Sequence, residues 1–302
     1  MLSTADFEVP AAQISAALKG DRKRAAVAGA DTEVVLQSAR DAQEAGLIEP
    51  VLVGDAARME AAAGNLGWDV SGFQIIDCAD EKEASAVSVG LARTGEVEVL
   101  MKGSVHTDTL MRAVVDKETG LRTGQRMSHI FQMTFPGHRK ALYITDASLN
   151  VAPDVTQRIH ITRNAVAALN RIGVETPRVA VLSAVELPSP AVPSSMEARR
   201  VADLAADGEI EDAVVEGPLS MDLAISPAAA SVKGLESEVA GRADLLVVPN
   251  IETGNALFKT LVYFRSATAA GLVLGARVPI VLTSRADPPE ARLAAVALAM
   301  MV

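Results

Sequence analysis

Arg24 to Gly54 reads RAAVAGADTEVVLQSARDAQEAGLIEPVLVG. Its first six residues, Arg24 to Gly29, form an apolar run with a glycine stop. Residues from about Thr32 to Ala45 then place apolar side chains at helical spacing. Pro50 to Gly54 repeats the apolar run and the glycine stop. A buried strand, an amphipathic helix and a second buried strand make a parallel βα unit, because only a parallel pair needs a crossover of that length. The pattern recurs outward from this unit. Phe73 to Asp77, Val97 to Met101 and Ala141 to Thr145 continue the strand series, with helical segments between. A long helix is expected from Asp154 to Arg171. Further strands follow at Arg178 to Leu182, Asp212 to Val215, Leu245 to Val248 and Ile280 to Thr283. Right-handed crossovers put helices on both faces of such a sheet, so the fold class is α/β, doubly wound and mainly parallel.

So many strands exceed what one compact sheet usually holds, which predicts two lobes. The expected crossing points are the irregular stretch Asp146 to Pro153 and the Gly271 to Ala276 region. The first lobe is then 1–145 plus 271–302 and the second 146–270, with the ligand site expected in a cleft between them. No internal repeat or low-complexity segment interrupts this pattern, and Pro188 to Ser195 reads as a turn-rich loop.

Composition narrows the function. The 302 residues are 49% hydrophobic but only 3% aromatic, so Ala, Val, Leu, Ile and Met must fill the core. A formal net charge of -10 argues against nucleic-acid binding, which needs a basic surface, yet a local Arg and Lys cluster can still take an anionic ligand. The single cysteine, Cys78, excludes an intrachain disulfide and a cysteine-only metal site, and suits a reducing, cytoplasmic compartment. No signal peptide or membrane span is apparent, so a soluble protein is expected. The apolar stretch Leu293 to Val302 reads as a buried terminal helix, with a subunit contact as one use for it.

Three strand ends carry candidate chemistry. Ligands of open α/β folds gather at the carboxyl ends of strands, where helix N-termini direct N–H groups outward. Pro279 to Thr283 runs into Ser284-Arg285-Ala286-Asp287 before a helix expected near Pro288 or Pro289. A hydroxyl, a guanidinium and a carboxylate suit a phosphorylated substrate, and arginine can grip phosphate bidentately. On spacing alone, an ordinary helix start explains Ser284, Asp287 and Glu290 better. Val248 to Asn250 ends a second strand and leads to Gly254, Asn255 and Lys259. Asn255 and Lys259 lie four apart on one helical side, and a plain strand-to-helix turn explains them equally well. Lys102, Gly103 and Ser104 end a third strand. The four histidines, His106, His129, His138 and His160, show no metal spacing and read as surface or loop residues. Cys78 reads as buried and inert. There is no phosphate loop of the G-x-x-x-x-G-K-[ST] kind, no G-x-G-x-x-G after the first strand and no G-x-S-x-G elbow.

Taken in order, these segments resemble the phosphate acetyl/butyryltransferase family over nearly the whole chain. They are Leu100 to Gly103 with His106-Thr107, Gly120 to Gly124, Ile144 to Ala147 and Glu216 to Leu219 with Asp222. Val239 to Asp244, Gly254-Asn255 with Lys259, and Thr283 to Asp287 complete the series. The resemblance implies the two-lobed architecture of the isocitrate and isopropylmalate dehydrogenases. It also implies the reaction acyl-CoA plus phosphate giving acyl phosphate plus CoA, usually in a homodimer. Coenzyme A is then a substrate, with no permanently bound cofactor and no metal. Ser284 and Arg285 would bind phosphate and stabilise the transition state, and Asp287 or Glu290 would assist the thiol. Lys102, Gly103, Ser104, Gly254, Asn255 and Lys259 would bind substrate. Ala291 and Tyr263 stand where acetyl-transferring members typically carry aspartate and arginine, which points toward butyryl or another short acyl group. Asn250 and Glu216 likewise replace more usual aspartates. A second reading is a non-catalytic acyl-CoA-binding regulatory module. A third, a metal-dependent hydroxyacid dehydrogenase, lacks an assembled aspartate cluster.

Overall fold

In the computed structural model, residues 6–283 and 287–302 are described. The chain divides by its contacts into two compact α/β units, one formed by Phe7–Gln125 with Ala270–Val302 and the other centred on Arg126–Ala269.

The unit formed by Phe7–Gln125 and Ala270–Val302 begins with α1 (Ala11–Ala17), β1 (Lys23–Ala28), α2 (Glu33–Glu44), β2 (Ile48–Gly54) and α3 (Ala56–Asn65). It continues through β3 (Gln74–Asp77), α4 (Glu81–Thr94), β4 (Val99–Lys102) and α5 (Thr107–Val114). The strands β1, β2, β3 and β4 pair in parallel in the order β3-β2-β1-β4. Late in the chain β11 (Ile280–Val281) adds in parallel to β4, and β10 (Thr268–Leu274) adds antiparallel to β11. Ala25, Ala26, Val27 and Ala28 are all buried, as a central strand covered by helices on both faces requires. The small side chains of β1 let its neighbours pack closely without aromatic filling. The unit closes with α11 (Pro289–Met301), which packs on α1 and α2. Gln13 from α1 donates to the Ala294 carbonyl at 2.9 Å. The apolar residues of α11 are therefore covered within their own unit, and their hydrophobicity is no ground for a subunit contact.

The other unit contains β5 (Ser128–Thr134), β6 (Leu142–Thr145), α6 (Val155–Arg171), β7 (Arg178–Leu182) and α7 (Pro193–Leu204). It continues with β8 (Val214–Leu219), α8 (Met221–Ile225), α9 (Pro227–Val232), β9 (Leu245–Val247) and α10 (Ile251–Arg265). The strand order is β5-β6-β9-β7-β8, parallel except for the β5–β6 pair. Its core gathers Met133, Ile144, Leu182, Leu223 and Leu246 among others. Asp154 begins α6 with a capping box, its carboxylate taking the Gln157 N–H while the Gln157 side chain takes the Asp154 N–H.

Two strands lie outside the expectations from sequence. Ser128–Thr134 is strand β5, paired antiparallel with β6, and this pair places Arg126 to Thr145 with the second unit. The contact boundary therefore falls at Arg126 rather than Asp146. The Gly271 to Ala276 region holds the end of strand β10, and the second boundary falls inside that strand at Ala270. Among the described residues, no helix is long and apolar enough to cross a membrane.

Candidate active site

The carboxyl ends of β1, β2, β4 and β11 surround a cavity of 510 Å³ within the first unit. Lys102, Gly103, Ser104 and Thr283 all line it. The strand order explains this placement. The chain runs outward from β1 to β2 and β3 and then crosses back to β4 on the other side of β1, so the strand order reverses between β1 and β4 and leaves room for a ligand there.

Glycine makes the β1–β4 corner tight. Gly29 sits at φ +75°, and a Cβ on it would approach Ser104 Oγ to 2.6 Å and the Val105 backbone nitrogen to 2.9 Å. A Cβ on Gly103 would meet the Ala28 carbonyl oxygen at 2.6 Å and the Gly29 oxygen closer still. Two hydrogen bonds hold the corner, Gly103 N–H to Ala28 O and Ser104 N–H to Gly29 O, each 2.8 Å. Backbone contact thus aims the Lys102–Ser104 segment into the cavity. Gly103 is needed for the approach of two strands, which is a stronger constraint than general flexibility.

The polar groups of the cavity form a connected set. Ser104 donates to Asp31 Oδ1 at 2.5 Å, and the other Asp31 oxygen faces Arg58 Nη1 at 3.2 Å. Asp55 caps α3 through the Arg58 N–H at 3.0 Å. Asp80 caps α4 through the Lys82 and Glu83 N–H groups at 2.9 and 2.8 Å. Glu81 accepts from the His106 backbone N–H at 3.1 Å and contacts His106 Nδ1 at 2.7 Å. These His106 contacts hold the Glu81 carboxyl below the usual range. Each cavity carboxylate named here therefore already has a structural partner.

Cys78 also lines the cavity, 4% exposed. Burial, followed by the charges of Glu83, Asp77 and Asp80, pushes its thiol above the ordinary value. A thiol held protonated in this way is a poor nucleophile, which agrees with the inert reading. Arg292 enters the cavity from the opening turn of α11 and donates through Nη1 to the Asp287 carbonyl at 2.7 Å.

The other expected site residues are distributed as follows. Ser284 and Arg285 lie outside the described residues. Asp287 precedes α11, and Glu290 lies in its first turn; neither is among the described residues lining the cavity. Gly254, Asn255 and Lys259 belong to α10 in the other unit. Gly254 is buried there, and a Cβ on it would meet Ala147 Cβ at 2.7 Å, so its role is to let α10 close on the turn after β6. Asn250 caps the same helix through the Thr253 N–H at 2.9 Å, a task asparagine and aspartate share. Glu216, the other replacement, accepts from the Ser237 hydroxyl and the Glu238 N–H.

His129 departs from its surface reading. It lies on β5, 1% exposed, with Nδ1 lacking a partner among the described residues and its ring 4.3 Å from that of Phe131. Burial lowers its pKa to about 4, with Asp146 opposing the shift. Asp146 is itself buried and accepts from the backbone of His129, Ser148 and Leu149 and from the Asn150 side chain. Among the described residues, no group of three or more His, Cys, Asp or Glu side chains could hold a metal ion.

Sequence reasoning missed Asp31, Arg58 and Arg292. The first two were accessible from the strand-end rule applied to β1 and β2. Arg292 gave no signal, since it lies inside a helix after the motif.

Comparison with known proteins places this cavity in context. The family model described as phosphate acetyl/butaryl transferase matches residues 11–89 and 81–300. The chain belongs to this family. It is an enzyme, a phosphate acyltransferase in the broad sense. A phosphate acetyltransferase of Rhizobium meliloti is 48% identical over 269 residues, which cover 89% of this chain and 85% of that protein. A phosphate butyryltransferase of Clostridium acetobutylicum is 40% identical over 282 residues, covering 93% and 94%. The crystal structure of a branched-chain phosphotransacylase from Enterococcus faecalis aligns with a TM-score of 0.80 at 31% identity, covering 92% of this chain and 98% of that one. A 4-hydroxythreonine-4-phosphate dehydrogenase from Burkholderia phymatum aligns at 0.58 with 16% identity, a likeness of fold alone.

Proposed function

We propose that this acyltransferase moves a short acyl group between coenzyme A and inorganic phosphate, with butyryl or a similar chain preferred over acetyl. The observation that carries the reading is the convergence of Lys102, Gly103, Ser104 and Thr283 on one cavity at the strand ends. In the direction of CoA acylation, the CoA thiolate attacks the carbonyl carbon of the acyl phosphate. The electron pair of the carbonyl moves to oxygen, and collapse of the tetrahedral intermediate expels phosphate as the C–O bond breaks. Ser284 and Arg285, directly after Thr283, supply donors for the phosphate and for the charge that develops on it. Fixed donors of this kind favour the transition state because they need no reorganisation during reaction. Asp287 and Glu290 are the candidates for removing the thiol proton.

The preference for a longer acyl group rests on Ala291 and Tyr263, the positions where the resemblance places aspartate and arginine in acetyl-transferring members. Ala291 is 3% exposed and apolar. Asn255 and Lys259 belong to the same proposal as substrate-binding residues, as do a cytoplasmic location and a homodimer. No permanently bound cofactor is required.

The test is CoA release from acetyl-, propionyl-, butyryl- and isobutyryl-CoA, with and without phosphate, followed through the free thiol. Phosphate-dependent release that peaks at butyryl supports the reading, and a peak at acetyl refutes the chain-length assignment. Arg285→Ala should lower turnover by about two orders of magnitude or more with the fold intact. Near-normal turnover would remove Arg285 from the chemistry.

A further inference from the structure

Arg292 is in an electrostatically expensive position. It lies in the opening turn of α11, where the helix dipole presents positive potential and disfavours a cation. Among the described residues, it has no carboxylate within ion-pair distance, whereas Arg58 in the same cavity is paired with Asp31. Its Nε is sealed from solvent and has no acceptor among the described residues. Among the described residues its side chain has one hydrogen bond, to the Asp287 carbonyl, and it lines the same cavity as Thr283.

A half-buried guanidinium near a helix N-terminus, without a counter-charge, is stabilised when an anion enters the cavity it lines. Both inorganic phosphate and the phosphates of CoA have that chemistry. The position favours the former, because Arg292 lines the same cavity as Thr283, the residue directly before the Ser284-Arg285 pair read as phosphate-binding. We propose that Arg292 is a phosphate-binding residue of this enzyme, a guanidinium that takes the transferred phosphate. The proposal rests on the functional reading above and names a residue that reading does not contain.

Arg292→Met and Arg292→Lys test it. With butyryl-CoA as the acyl donor, Arg292→Met should raise KM for phosphate about ten- to hundred-fold and leave KM for butyryl-CoA within about two-fold, the loss expected for one charge-assisted contact. Arg292→Lys keeps the charge and should recover part of that loss. The second readout needs no turnover: added inorganic phosphate should raise the unfolding midpoint of the wild type, and Arg292→Met should reduce that rise. An unchanged KM for phosphate with a lower kcat, or an equal rise in both KM values, would overturn the assignment and leave Arg292 as a brace for the Asp287 turn. A rise in KM for butyryl-CoA alone would assign it to CoA and also overturn the proposal. A wild type that releases no CoA would fail the functional reading, while the phosphate-dependent midpoint would still decide whether Arg292 binds the anion. If Arg292→Met does not fold, the comparison is made with Arg292→Lys.

Discussion

One methyl group on Gly103 should do more damage than its size suggests. A Cβ there would sit 2.6 Å from the Ala28 carbonyl oxygen and 2.9 Å from the Gly29 carbonyl carbon. Both obstacles are backbone, so no side chain can swing aside. The ends of β1 and β4 must separate, which strains the 2.8 Å bonds from Gly103 N to Ala28 O and Ser104 N to Gly29 O. Overpacking of this kind typically costs about 1–3 kcal/mol, and loss of the two bonds would put Gly103→Ala at the upper end. The same displacement moves Lys102 and Ser104, so activity should fall further than folding does. Gly90→Ala is the matched control: Gly90 lies within α4, and a Cβ there would meet nothing within 4 Å. Helix propensity then predicts a gain of up to about 1 kcal/mol and unchanged activity. The assay is urea unfolding with the slope checked for constancy, alongside phosphate-dependent CoA release. Equal stability and equal activity for Gly103→Ala would refute the argument that this corner is sterically closed.

Other perturbations follow from the same physics. His129 has its pKa depressed to about 4 by burial, below its ordinary value of 6.5, so the unfolded chain binds its proton first. Its contribution is present above about pH 6.5 and is lost as pH falls toward 4, a loss on the order of 3 kcal/mol at most. His129→Gln should flatten the fall in stability across that window, and an identical pH slope in the variant would contradict it. Asp31→Asn should weaken the hold on both Ser104 and Arg58 and lower kcat while the protein stays folded; an unchanged kcat would show that the Ser104 hydroxyl needs no anchoring. Glu197→Ala should destabilise by about 2 kcal/mol and by more than Arg158→Met, measured by urea unfolding. The reason is that Arg158, with a side chain 4% exposed, cannot regain water, whereas Glu197, at 42%, can.

The parallel skeleton was readable because β1, β2, β4 and β7 are continuous apolar runs, which only a strand buried on both faces needs. The two strands that escaped are those whose burial is not written in β-branched residues. In β5, Ser128, His129 and Gln132 are buried polar side chains, so the run does not look like a core strand. In β10, Ala269, Ala270 and Gly271 carry little strand propensity, and the glycine reads as a break. Both belong to antiparallel pairs, and such pairs form without the helical crossover that made the other strands visible. The same limit applied to the site. Lys102, Gly103 and Ser104 were visible because they follow a strong strand. Asp31 was hidden, because an acid just before a helix start looks like a cap, and nothing in sequence brings it to Ser104 across 73 residues.

The distribution of charge around the cavity bears on which groups are free to do chemistry. Asp31 is spent on Ser104 and Arg58, Asp55 and Asp80 on helix caps, and Glu81 on His106 and the start of α5. For Glu81 the His106 contacts stabilise the charged form, which makes it a weaker proton acceptor. A base for the CoA thiol must come from a carboxylate without such duties, or from solvent. The cations divide differently, for Arg58 is neutralised by Asp31 while Arg292 has no acidic partner among the described residues. The cavity wall is therefore organised with its acids committed to structure and a guanidinium held in reserve. That arrangement suits a reaction whose binding problem is an incoming oxyanion, and it directs the search for the base away from the acids of the β1–β3 strand ends.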